Sequence, residues 1–382
     1  MLWHERMATR WESYARTTVT RSLAVWAAAF ALSLAQWRHT AYFFGNCDLS
    51  QICDMRDVTR AVEAEVGVLQ GYPHWRHFQS RLLGTGAEYA VNLVVGVDFT
   101  VAHMIVAIAV LTLCGVTMFY AGRAIGSRQH GWTALFAFET LFALLMSRPW
   151  LYIWDYFILL FGAAFLLLVI RKAPWWAFLL LMGAAFLNHE SALFIGVWMV
   201  VAALTEAWSE RRRPDWLLLG GGVIGSLAGI ALTEYLRTAL MNKEMGWQMF
   251  RDVGNGPTSR FDTYFHLQVT ANLQDIYQWV THPDFALMFL IPLPVILVLA
   301  IAAILLARHG RKALPLAAYA VVQAAALFVF GMRAETRDLL QLVPFLCLGG
   351  MLAAKSDCDV SLSRSGSGKS GTPRAEREAH HV

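Results

Sequence analysis

Asn188, His189 and Glu190 stand side by side in the otherwise apolar stretch MGAAFLNHESALFIG. An amide, an imidazole and a carboxylate in a row can hold a phosphate, hydrogen-bond a sugar or move a proton. At the centre of a membrane helix an ionised glutamate would cost roughly 2.5–3.5 kcal/mol, so the depth of the triplet decides what it can do. Similar polar groups interrupt apolar sequence elsewhere. Asp48, Asp54 and Asp57 lie in FGNCDLSQICDMRD, Arg81 in QSRLLGTGAEY, and Arg148 and Asp155 in SRPWLYIWDY. Arg333, Glu335 and Arg337 lie in GMRAETRDLLQLVP.

These residue types suit transfer chemistry on a phosphorylated substrate. A carboxylate near a surface can take the proton of an acceptor hydroxyl, and Asp54, Asp48 and Asp57 are the candidate bases. Arginine, through paired hydrogen bonds, and His189 can hold a departing phosphate. Each residue also has a plainer use. Asp57 fits an N-cap for the segment starting at Val58, and Asn188 can cap the helix that Ser191 opens. Asp155 can pair with Arg148 or Arg81. Arg333, Glu335 and Arg337 fit a phosphate clamp or a salt-bridge set tying two spans together.

The elements that must position them follow from composition. The chain has 382 residues, 57% hydrophobic and 15% charged, which no soluble domain matches. Apolar runs that approach the ~20 residues of a membrane crossing predict an all-α, polytopic helical bundle. Candidate spans cover residues 21–37, 101–121, 132–147, 152–170, 173–188, 191–205, 216–233, 285–307, 313–331 and 339–354, about ten crossings, several of them short. The first carries a basic flank that a signal peptide would share, and is read as a retained anchor. Residues 1–20 form an N-terminal segment, 21–354 the membrane domain, and 355–382 a polar, Ser/Gly-rich disordered tail.

The basic turns set the sidedness. Arg123 and Arg128, Arg171 and Lys172, Arg211 to Arg213, and Arg308, Arg311 and Lys312 belong in the cytoplasm with both termini by the positive-inside rule. Two crossings must then separate each neighbouring pair. Residues 173–188 and 191–205 supply one such pair, and the turn between them is Asn188-His189-Glu190. The triplet therefore falls at the outer surface, together with the loops 38–100 and 234–284, Arg148, Asp155, Arg333, Glu335 and Arg337. In the first loop, Val58, Val62, Val66 and Leu69 recur at the spacing of an amphipathic surface helix. The stretch from Arg81 past Glu88 reads as a second helix that does not cross. The second loop holds Trp247, Phe250, Phe261, Tyr264, Phe265, Tyr277 and Trp279, interfacial anchors or a lid with stacking faces. Of five cysteines, Cys114 and Cys347 lie in apolar runs as buried thiols. Cys47 and Cys53 pair only if the first loop faces an oxidising compartment.

The chain carries no Walker pattern, no Gly-rich dinucleotide loop, and no HExxH or CxxC motif. Nothing in it points to nucleic acid. No tightly held cofactor is expected, although the aspartates are compatible with a bound Mg²⁺ or Mn²⁺. A substrate met at the outer face has to come with the membrane, which favours a sugar on a polyprenyl-phosphate carrier, with membrane lipids as the other partners.

The order of these features resembles the GT-C class of integral-membrane glycosyltransferases, and more closely a set of bacterial multi-pass proteins thought to share that fold. The shared pattern comprises acidic residues in the first outer loop (Asp48, Asp54, Asp57) and a basic R-L-L stretch at Arg81. It continues with Asp155 at the head of a mid-chain span, the N-x-E-[ST]-A-L turn from Asn188 to Leu193, and E-x-R-x-L-x-x-L-x-P from Glu335 to Pro344. The resemblance implies a transferase of the inner (plasma) membrane that moves a sugar from a polyprenyl phosphate to an acceptor on the outer face. A polysaccharide polymerase or ligase, a transporter and a non-enzymatic envelope-assembly protein are the other readings. Unlike most GT-C enzymes, the chain has no adjacent acidic pair in its first loop.

Overall fold

The computed structural model describes residues 20–39, 69, 81–145, 152–211, 213–236, 269–282, 293–330 and 336–355. Among them every regular element is helical, as the apolar runs require. In chain order the helices are α1 (20–39), α2 (Leu82–Val95), α3 (Phe99–Ile125), α4 (Arg128–Leu145), α5 (Ile153–Ile170) and α6 (Trp175–Phe186). They continue as α7 (Leu193–Glu210), α8 (Trp216–Tyr235), α9 (Val269–Thr281), α10 (Leu293–His309), α11 (Leu314–Phe330) and α12 (Val343–Ala354). Short 3₁₀ turns at Glu190–Ala192, Gly310–Ala313 and Thr336–Leu342 precede α7, α11 and α12.

Starts are set by side chains. The Asp98 carboxylate accepts from Val101 N at 2.9 Å to open α3, and Asp215 accepts from Leu217 N and Leu218 N to open α8. The chain reverses between α2 and α3 at Gly96, whose left-handed φ of 71° glycine adopts without strain. It reverses again at Gly310, with φ 57°, so α10 and α11 turn back and pack together.

Five stretches are long and apolar enough to cross a membrane: Phe99–Ile125, Ile153–Ile170, Glu190–Glu210, Trp216–Tyr235 and Leu293–Val329. That is fewer than the ten crossings expected from sequence. The last stretch holds two of the expected spans, divided at Gly310. Helices α1 and α4 are less apolar because they include Arg21, Arg38, Arg128 and Glu139. α6 and α12 have 12 residues each, about 18 Å at 1.5 Å per residue against a ~30 Å hydrocarbon core. α9 is amphipathic, an element hidden in the second loop's sequence behind its aromatic content.

The core is aromatic and close-packed. Phe165 of α5 meets Trp198 of α7 at 5.5 Å and Tyr319 of α11 at 4.4 Å between centroids, and Phe178 of α6 meets the same Trp198 at 4.6 Å. α7 and α8 cross through glycines. A Cβ on Gly196 would lie 3.0 Å from Gly222 O, and one on Gly222 2.9 Å from Gly196 O, the small-residue contact of membrane helices. Outward, α8 exposes Leu217, Ile224 and Leu227, a stripe suited to lipid.

The bundle has two distinct ends. Lys355 Nζ, after α12, donates to Ile125 O at the end of α3 (2.7 Å), and Arg308 of α10 donates to Ala353 O (2.6 Å). Arg311 stacks over Trp208 near the end of α7, 4.0 Å from its centroid. The basic turns here share one end, as the parity of crossings requires. The starts of α5 and α7 and the end of α6 form the other. Helix α2 belongs to that second end: Leu83 N donates to Leu187 O at 2.9 Å, and Gly84 lies against Ile153.

Candidate functional site

The second end gathers polar residues from three separate segments. Arg81 sits at the N-terminus of α2, with its side chain only 11% exposed. Its guanidinium lies 4.9 Å from the Trp154 ring centroid, and Nη2 is 3.6 Å from Glu190 Oε2. Trp154 in turn stacks on Tyr152 at 4.4 Å. The planar guanidinium thus meets both an aromatic face and a carboxylate.

Glu190 opens the 3₁₀ turn with its side chain 38% exposed, and its Oε2 also lies 3.7 Å from His189 Nε2. The other ring nitrogen, Nδ1, accepts from Ser191 N at 3.1 Å. An accepting Nδ1 carries no proton, so the ring hydrogen resides on Nε2, facing the carboxylate. His189, rather than Asn188, therefore caps the turn.

Asn188 has a different task. It is 0% exposed and its Nδ2 donates to Trp154 O at 2.9 Å, pinning the turn to the head of α5. Its Oδ1 is buried without a hydrogen-bond partner. Asp155 is buried as well: its Oδ2 accepts from Tyr152 N at 3.0 Å, closing a capping box that starts α5. Glu190 is a carboxylate beside Arg81.

Arg81, Asp155, Asn188, His189 and Glu190 are thus brought together around the head of α5. Asp48, Asp54, Asp57, Arg333 and Glu335 lie outside the described residues, as do Arg148, Cys47, Cys53 and the segment from Val58 to Val66. Arg337 falls within the 3₁₀ turn Thr336–Leu342, which also delivers Gln341 to a cavity beneath Asn188 and His189. Cys114 and Cys347 are free and buried, as expected.

Sequence reasoning passed over three interior polar groups. Glu88 of α2 is 0% exposed and meets His103 Nδ1 of α3 at 2.5 Å, with Trp37 and Tyr156 rings around the imidazole. Glu139 of α4 is buried beside Gly115, and Gln36 of α1 donates to its backbone carbonyl at 2.8 Å. Gln323 of α11 is buried and donates to Tyr319 Oη at 2.9 Å. The signal for each was a lone polar residue inside an apolar run, as in ALFAFETLFALL and YAVVQAAALF, where a functional role is the default expectation. Among the described residues no group of three His, Cys, Asp or Glu side chains is placed to hold a metal ion.

The arrangement sets a cation, Arg81, and the His189 imidazole beside a part-exposed carboxylate that can accept a proton, over buried Trp154 and the Tyr152 ring stacked on it. No protein-family model, curated protein or solved structure matches the chain.

Proposed function

We propose that this protein is a GT-C-type glycosyltransferase of the inner (plasma) membrane. It moves a sugar from a polyprenyl-phosphate carrier to an acceptor at the outer face. The observation that carries this reading is the separation of the bundle's ends: basic turns at one, and Arg81, His189 and Glu190 assembled from distant segments at the other. With the basic end in the cytoplasm, the assembled end opens outward, where soluble nucleotide sugars are absent and lipid-linked donors are at hand. Arg81 and His189 hold the carrier phosphate as it leaves, and Glu190 orients both. Asp54 in the first outer loop is the preferred base, with Asp48 and Asp57 as alternatives. Arg333, Glu335 and Arg337 complete the phosphate side from the segment before α12. In this reading about ten helices cross, with the short ones thinning the bilayer around them.

Purified protein in lipid nanodiscs, given undecaprenyl-phosphate hexoses, tests it by release of undecaprenyl phosphate. Release that is lost in Arg81→Gln and Asp54→Asn supports the transferase. No release with any hexose donor, from folded protein, contradicts it.

One observation favours a second reading. Glu139 and the Glu88–His103 pair are ionisable groups held inside the bundle, a placement used by proton-coupled transporters. Proton flux into proteoliposomes that depends on Glu139 would select that reading over the transferase.

A further inference from the structure

Beneath Asn188 and His189 the bundle holds a cavity of about 20 Å³ between α5, α6, α7, α11 and the turn before α12. Its polar lining is Asn188, His189, Ser191, Tyr319, Gln323 and Gln341, and its floor includes Gly162. Among the described residues no carboxylate, lysine or arginine lines it.

Two of these side chains point to a ligand. Asn188 is 0% exposed and Gln323 3%, and both carbonyl oxygens, Oδ1 and Oε1, are buried without hydrogen-bond partners. The opposite end of each amide is already committed, Asn188 Nδ2 to Trp154 O and Gln323 Nε2 to Tyr319 Oη. Trp154 O can only accept, so that bond fixes Asn188 with Oδ1 as an unmet acceptor; Gln323, with Nε2 on the Tyr319 hydroxyl, turns Oε1 to the cavity as the second. Tyr319, accepting from Gln323, keeps its own O–H to donate. Leaving two buried acceptors unmet is unfavourable, and polar groups inside membrane bundles are kept where they serve a ligand.

The chemistry selects the occupant. Two carbonyl oxygens repel an anion and call for a donor, and one phenolic O–H answers an acceptor. An alcohol hydroxyl is both. A bare cation would lack any balancing carboxylate in the lining. The cavity volume fits one oxygen, and the half-buried His189, Ser191 and Gln341 connect it to the polar end.

We infer that this cavity is a subsite for one hydroxyl or hydroxymethyl arm of a neutral sugar, read by Asn188, Gln323 and Tyr319. The inference deepens the transferase reading and rests on it for the sugar's attachment to a carrier. It divides the site in two: phosphate at Arg81 and His189, neutral sugar hydroxyl below. Uronic acids, whose carboxylate would replace that hydroxymethyl, are excluded.

Saturation-transfer NMR on the full chain in nanodiscs tests this with three probes: methyl glucoside, methyl glucuronide and farnesyl phosphate. The expected result is transfer to methyl glucoside and none to methyl glucuronide. In Gln323→Met the glucoside signal falls by about tenfold, the loss of one good hydrogen bond, while the farnesyl phosphate signal is unchanged. Should Gln323→Met fail to fold, Tyr319→Phe removes only the hydroxyl and is expected to act likewise. Equal glucoside signals in wild type and variant, equal signals from both glycosides, or no glucoside signal at all would overturn the subsite and leave the cavity to an ordered water. Absence of farnesyl phosphate binding with glucoside binding intact would instead count against the polyprenyl-phosphate reading alone.

Discussion

Glu190 and Glu139 both interrupt apolar sequence, and the fold treats them in opposite ways. Glu190 sits at a helix–helix turn, 38% exposed, with Arg81 and His189 beside it. Glu139 sits inside α4, its carboxylate without a hydrogen-bond partner among the described residues and its backbone carbonyl accepting from Gln36. The first carboxylate is placed where water and a polar substrate can reach it, so its charge is cheap and usable. The second must be carried by the bundle itself. Near a surface a carboxylate costs little to keep and is informative about function. In the interior it costs stability, whatever else it does.

Four substitutions sharpen or break this contrast. The largest effect is expected from His103→Phe, which strands the fully buried Glu88. Unfolding in detergent should show a loss of about 3 kcal/mol or more, and an unchanged unfolding profile would mean that Glu88 has other support. Next comes Arg81→Gln. The turnover of an undecaprenyl-phosphate hexose should fall by roughly two orders of magnitude, or about 2.7 kcal/mol, with the protein still folded. Parallel loss of fold and turnover would make Arg81 a packing residue on Trp154.

Glu139→Met is expected to move stability the other way. Exchanging a buried, unsatisfied carboxyl for an apolar chain of similar length should stabilise by about 1 kcal/mol and leave hexose turnover unchanged. A drop in turnover would erase the distinction between the two glutamates. The smallest effect belongs to Glu190→Gln measured as stability. A pair at 3.6 Å whose carboxylate is 38% exposed contributes about 0–1 kcal/mol, so thermal unfolding should barely shift while kcat/KM for the donor falls.

The residues that sequence placed well are those governed by arithmetic along the chain. Even numbers of crossings between basic turns put Asn188, His189 and Glu190 at a helix–helix turn, and Lys355 meeting Ile125 and Arg311 meeting Trp208 join the basic segments at the opposite end. What sequence could not give was lateral pairing. Arg81 meets Glu190 because Leu83 bonds Leu187, a contact across more than a hundred residues that no periodicity encodes. Asp155, expected to pair with Arg148 or Arg81, has its Oδ2 on the backbone N of Tyr152 at the start of its own helix, while Arg148 lies outside the described residues. The Asn188 cap was assigned one residue early, since asparagine and histidine can both accept there and only the turn geometry chooses. The expected spans 173–188 and 339–354 are longer than the α-helices they contain, α6 and α12 of 12 residues each, the second because its apolar run begins in the 3₁₀ turn Thr336–Leu342. Gln323 went unseen because a single amide in an alanine-rich run leaves the run's overall hydropathy high.

In the proposed topology the end bearing Arg81 and Glu190 faces outward and the basic end faces the cytoplasm. Single-cysteine chains in a background without the five native cysteines test it most directly, using a membrane-impermeant maleimide on intact cells. Asp54→Cys, Glu190→Cys and Glu335→Cys should label from outside, and Ser127→Cys only after the cells are opened. Labelling of Ser127→Cys from outside, or of Glu190→Cys only from within, would contradict this topology and dissolve the composite site.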